Sequence, residues 1–203
     1  QPALHTWPVR PYQVQAVRAL MTHGALLLAD DPGMGKTVAA CLALLARFQG
    51  GQAKRSLVVC SEEGGHRHWA AHLAGWAGGL SVSLVWGQQH DRQAAWARQA
   101  HVYVVDYPTL ASDIEAGVLK PDRLQFDLMI LDAVPAMRRA DGRRARAVER
   151  VQAKQRWALA GGMPRQAEDW LAIFSLLSPG LTKAGSGETL PDLKTRFKGM
   201  VLR

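Results

Sequence analysis

Six short apolar runs, separated by longer stretches of helical character, constrain this chain more than any other feature. They are Ala25–Ala29, Ser56–Cys60, Leu80–Val85, Val102–Asp106, Leu128–Asp132 and Trp157–Ala160. Most are continuously apolar rather than alternating. Strands buried on both faces have this pattern, because neither set of side chains meets water. Helices are expected over Pro11–Met21, Lys36–Phe48, Arg67–Trp76, Asp91–Arg98, Pro108–Ala116, Gly142–Val151 and Gln166–Leu177. The alternation predicts an α/β fold, a parallel β-sheet with helices on both faces. Ligands of such sheets bind at the carboxyl ends of the strands. The 203 residues suit one domain of this kind.

The first run leads into Asp-Asp-Pro-Gly-Met-Gly-Lys-Thr, Asp30–Thr37, and a helix is expected to start at Lys36. Strand, glycine-rich turn and helix start are the context of a P-loop. Gly33 and Gly35 let the backbone curl so that its N–H groups point at phosphate oxygens. The helix N-terminus adds partial positive charge. Lys36 is placed to reach the outer phosphates of a nucleotide, and the Thr37 hydroxyl to bind Mg2+. An ordinary turn with a surface lysine is the bland alternative, and the complete motif in this context weighs against it.

One position narrows the class. A general P-loop begins with Gly, and here Asp30 stands there. Leu-Ala-Asp-Asp-Pro-Gly-Met-Gly-Lys-Thr resembles the Leu-Ala-Asp-Glu-Met-Gly-Leu-Gly-Lys-Thr form of the Swi/Snf family, within helicase superfamily 2. Val-Arg-Pro-Tyr-Gln, Val9–Gln13, resembles that family's entry motif, whose glutamine reads the adenine edge; the resemblance implies this role for Gln13. His66-Arg67-His68-Trp69 is similar to a His-Asn-Trp helix start, with one extra residue. Val105–Leu110 resembles the Tyr-Glu-Thr-Leu segment. The family's loops at these two places hold DNA phosphates, which implies DNA contacts from Arg67, Trp69, Tyr107 and Thr109. Core packing is an equally good reading of Trp69. Phe126–Asp132 is similar to the family's Walker B strand, so Asp132 is expected to hold Mg2+ through water. The resemblance thus implies the first RecA-like lobe of an ATP- and Mg2+-dependent motor on double-stranded DNA. Asp30, Gly33, Met34, Gly35, Lys36 and Thr37 would hold the nucleotide, with Lys36 and Asp132 as its catalytic residues.

Two motifs depart from the family. The Asp-Glu pair at the Walker B end becomes Asp132-Ala133, and a methyl group can neither take a proton nor align water. The Thr-Gly-Thr-Pro segment becomes Ala160-Gly161-Gly162-Met163, without hydroxyls. Glu62 and Glu63 stand on a loop expected near the same cleft edge. The family's arginine finger comes from a second lobe, expected to follow residues 183–203. The favoured expectation is an ATP-binding lobe whose hydrolysis is weak or absent, acting with a second lobe or a protein partner. The alternative is the first half of an active double-stranded-DNA translocase. An unrelated P-loop kinase or GTPase has no guanine motif or acceptor lid to support it.

Lysine and arginine exceed aspartate and glutamate by 25 to 17, a net charge of +8 that suits an anionic partner such as nucleic acid. Much of the excess lies in Arg138–Arg156, read first as a solvated helix face and second as a DNA contact. His66, His68 and His72 lack Cys or carboxylate partners at ligand spacing, so no structural metal is expected. Cys41 and Cys60 sit in apolar runs and read as reduced core thiols. With no apolar stretch of membrane-spanning length, the expected location is intracellular: cytoplasmic, nucleoid-associated or nuclear. Residues 1–182 are expected to form the lobe. Lys183–Gly187 reads as a flexible loop, or an engineered joint, opening a C-terminal segment outside it.

Overall fold

The computed structural model describes residues 8–134, 142–179 and 189–202. The strands are β1 (Ala25–Leu28), β2 (Ser56–Cys60), β3 (Val82–Val85), β4 (Val102–Asp106), β5 (Gln125–Asp132), β6 (Gln152–Leu159) and β7 (Val201–Leu202). The helices are α1 (Pro11–Thr22), α2 (Lys36–Gln49), α3 (Gly65–Trp76), α4 (Gln89–Ala97), α5 (Tyr107–Glu115), α6 (Gly142–Arg150), α7 (Ala167–Leu177) and α8 (Leu190–Arg196). All seven strands form one parallel sheet in the order β3-β4-β2-β5-β6-β1-β7. The expected fold class holds.

Alternate strand residues supply two cores. Leu26, Leu28, Val58, Cys60, Val104, Ile130, Trp157 and Leu159 pack under α1, α2 and α3. Leu27, Val59, Val105, Met129, Leu131 and Ala158 pack on the other face, with residues of α4 to α8. Where they cross the two cores, the central strands are thus apolar on both faces. Arg47 fastens the first layer: it donates to the carbonyls of Leu20 and Met21 at the end of α1, each at 2.9 Å. In the second, Arg92 Nε and Trp96 Nε1 both donate to buried Asp113, each at 2.8 Å, tying α4 to α5.

The C-terminal boundary is corrected. Leu193 and Phe197 are buried, Phe197 stacks on Phe174 of α7 at 3.9 Å, and β7 pairs with β1. Residues 189–202 therefore complete the lobe rather than lie outside it. Their two-residue strand carries no periodicity for a sequence to display. The Lys183–Gly187 loop, Arg138 and Arg139 lie outside the described residues. No helix among the described residues is long and apolar enough to cross a membrane.

Register places the functional edge. Leu28 of β1 and Asp132 of β5 both pair with Leu159 of β6, so three central strands end level. Strands lie about 4.8 Å apart, so the ends of β1 and β5 are roughly 10 Å apart across β6.

Candidate functional site

The loop leaving β1 turns through two left-handed glycines, Gly33 at φ 83° and Gly35 at φ 75°. A side chain is disfavoured at both. Gly35 is also the N-cap of α2, and no side chain caps that helix. The first-turn amides of α2 are thus open to an anion at the positive end of the helix. Lys36 Nζ donates back to the carbonyls of Asp30 at 2.7 Å and Asp31 at 2.8 Å. Burial lowers its pKa below the ordinary lysine value, opposed by the carboxylates of Asp30, Asp132 and Asp31. Met34 is exposed at the loop's tip.

Gln13 reaches this loop from α1. Its Oε1 accepts the Arg10 backbone N–H at 2.9 Å, which turns the amide nitrogen towards Gly35. A Cβ on Gly35 would stand 2.1 Å from Gln13 Nε2. Backbone conformation thus favours glycine at position 35, and a side chain there would displace the Gln13 amide. The loop after β6 abuts the same turn, since a Cβ on Gly161 would stand 3.5 Å from Pro32 Cγ. The Ala160–Met163 segment thus lies against the glycine-rich turn after β1.

Asp132 ends β5 level with the P-loop strand. Trp69 Nε1 donates to its Oδ2 at 2.8 Å, the Ala133 N–H donates to its Oδ1 at 2.8 Å, and the Tyr107 hydroxyl donates to its carbonyl at 2.8 Å. His68 Nε2 lies 3.4 Å from Thr37 Oγ1. Consecutive residues of α3 thus touch the Thr37 hydroxyl and the Asp132 carboxylate. These are hard oxygen donors of the kind Mg2+ takes. Ala133 has φ 54°, the one non-glycine in the left-handed region among the described residues.

The expected DNA contacts divide. Arg67 is exposed and Thr109 half-buried at the carboxyl edge. Trp69 and Tyr107 are corrected: at 0% and 2% exposed they have no face for a phosphate, and their polar atoms bond to Asp132. A buried indole N–H needs an acceptor, and the carboxylate supplies it. Sequence reasoning missed this role, and likewise His68 beside Thr37. A tryptophan directly after the polar run His66-Arg67-His68 was the available signal. Glu62 forms an ion pair with Arg144 of α6, and Arg143 pairs with Glu115 of α5. These pairs neutralise part of the arginine-rich face.

The sequence matches the family model of the SNF2-related domain over residues 12–187. The chain belongs to this family. Two solved structures are similar to this SNF2-related lobe. The Sulfolobus solfataricus SWI2/SNF2 ATPase core in complex with dsDNA matches with a TM-score of 0.82 and 22% identity, over 100% of this chain and 46% of that one. The Sulfolobus solfataricus SWI2/SNF2 ATPase core domain matches with a TM-score of 0.78 and 20% identity, over 100% of this chain and 44% of that one. The SNF2-related lobe thus spans under half the length of either neighbour, and at these identities the likeness is one of fold. Comparison with curated proteins finds no match.

Proposed function

We propose that this SNF2-related lobe binds ATP and Mg2+ at the carboxyl edge of its sheet and hydrolyses ATP weakly or not at all. The level ends of β1 and β5 carry the proposal, because they bring Gly33–Thr37 and Asp132 to one edge with Ala133 beside them. The α2 amides and Lys36 would hold phosphates, Gln13 the adenine edge, and Thr37 with water-mediated Asp132 the metal. Bound Mg2+ would neutralise phosphate charge. The position after Asp132 offers no group to orient water or accept its proton. Pairing of Glu62 with Arg144 leaves that carboxylate engaged elsewhere.

DNA is the proposed partner through its backbone. Arg67 and Thr109 would contact phosphates at the same edge as the nucleotide, supported by the net charge of +8. Affinity should fall steeply with salt and vary little with sequence. A second RecA-like lobe or a protein partner would close the cleft, and an active translocase completed in that way is the competing proposal.

Calorimetric titration of ATP with Mg2+ tests the nucleotide claim. Lys36→Ala should weaken binding by about tenfold to a hundredfold, the worth of a charged hydrogen bond, with little change in melting temperature. Equal affinities in the two proteins would remove the P-loop claim.

A further inference from the structure

Asp132 is fixed from two neighbouring helices. Trp69 of α3 holds one carboxylate oxygen, and Tyr107 of α5 holds the main-chain carbonyl, each at 2.8 Å. The second carboxylate oxygen accepts the Ala133 amide at 2.8 Å. Rotation of the carboxylate would break both of its bonds. Trp69 is fully buried, so its indole is itself held within the core on that face, in the cluster that includes Leu73, Val104 and Ile130. Exposed Arg67 lies two residues before Trp69 on α3.

We infer that Trp69 is a positioning residue for Asp132, holding the carboxylate in the orientation in which it meets a metal-nucleotide and joining it to α3, the helix that carries Arg67. This rests on the nucleotide proposal. Outer partners of metal-binding carboxylates act in this way, and losing one typically costs about tenfold to a hundredfold in metal affinity. The indole N–H stabilises the carboxylate without bringing a positive charge that would repel the metal. The Tyr107 bond fixes the backbone of the same residue, so it acts on position rather than on carboxylate rotation.

The test is the gain in ATP affinity on adding Mg2+, measured against the same titration in EDTA. Trp69→Phe keeps an aromatic ring and removes the N–H. Its Mg2+ gain should fall about tenfold or more, with metal-free ATP affinity unchanged. Tyr107→Phe should lose less. In an Asp132→Ala background, Trp69→Phe should have no further effect on the gain, because the group it positions is gone. A merely structural role would lower stability and leave the Mg2+ gain intact. That outcome, with Asp132→Ala still losing the gain, overturns the inference and spares the nucleotide proposal. Absence of ATP binding in wild type, with or without Mg2+, overturns both. Should Trp69→Phe not fold, the indole N–H resonance of Trp69 in wild type gives a second readout. It should move when Mg2+ is added to the ATP-bound protein, while that of Trp96, bonded to Asp113, stays in place. An unmoved Trp69 resonance overturns the inference.

Discussion

Asp127 and Asp132 stand near opposite ends of β5, and their partners differ in kind. Asp127 Oδ2 accepts the backbone N–H groups of Lys54 at 2.7 Å and Arg55 at 3.1 Å, while its Oδ1 accepts Lys154 Nζ at 2.8 Å. Burial pushes its pKa up, but Lys154 and the two amides outweigh this and hold it below the ordinary carboxylate value. At the other end, the Asp132 carboxylate accepts from an indole and from the amide of the next residue, both neutral. One carboxylate stitches β5 to β6 and to the start of β2. The other is oriented by two neutral donors. A strand can carry the same residue at both ends, and its partners decide which end is structural.

The largest effect that sharpens this contrast is at the carboxyl end. Asp132→Asn should remove most of the Mg2+ gain in ATP affinity, a loss of about tenfold or more, with little change in melting temperature, because its amide oxygen can still accept the buried Trp69 N–H. ATP titrations with and without Mg2+, alongside a thermal melt, check it. A large fall in melting temperature with the Mg2+ gain intact would reverse the roles of the two aspartates.

Asp127→Ala should do the opposite. It leaves one exposed and one half-buried backbone amide without their acceptor, at a cost of about 1–2 kcal/mol, or roughly 2–8 °C in melting temperature for a domain of this size. Nucleotide affinity should not change. The acid behaviour follows from the lowered pKa. Stability from Asp127 is fully present above its ordinary value of 3.8 and is lost as pH falls through the lower folded value. Asp127→Asn should flatten that part of the stability profile, measured by denaturant melts across the acid range.

Gly35→Ala is the next largest. The added Cβ meets Gln13 Nε2 and sits at φ 75°, so it should cost about 1–2 kcal/mol from backbone strain and weaken ATP binding as Gln13 is displaced. A protein as stable as wild type, with unchanged ATP affinity, would contradict the packing of Gln13 on the loop. Ala133→Gly should be the smallest: relief of the left-handed strain at φ 54° is worth at most about 1 kcal/mol, partly offset by backbone entropy. A thermal melt showing clear destabilisation would contradict that strain.

The parts legible in the sequence are those set by neighbours along the chain. Ser56–Cys60 and Val102–Asp106 are strands from end to end because each is buried on both faces. The P-loop is likewise local, its glycines and lysine all within one turn. The start of β6 was not legible, because Gln152, Lys154 and Gln155 are polar where the strand meets solvent at the amino edge. Nor was β7, whose place is set by pairing with β1. Within the site, the aromatic roles were hidden for a related reason. Trp69 and Tyr107 meet Asp132 across 63 and 25 residues of sequence, and no local pattern encodes such contacts. The family resemblance assigned both to DNA because it speaks of loops, while burial is decided by the packing of α3 and α5 against the sheet.

Phosphate release from the purified protein, with and without double-stranded DNA, tests most directly whether Ala133 leaves the lobe able to bind ATP but not to cleave it. Lys36→Ala serves as the control for contaminating ATPases. Wild type should release no more phosphate than Lys36→Ala under either condition, although it binds Mg2+ and ATP. Release that DNA stimulates and Lys36→Ala abolishes would mean that the chain hydrolyses ATP without a carboxylate after Asp132, and the active-translocase proposal would stand in its place.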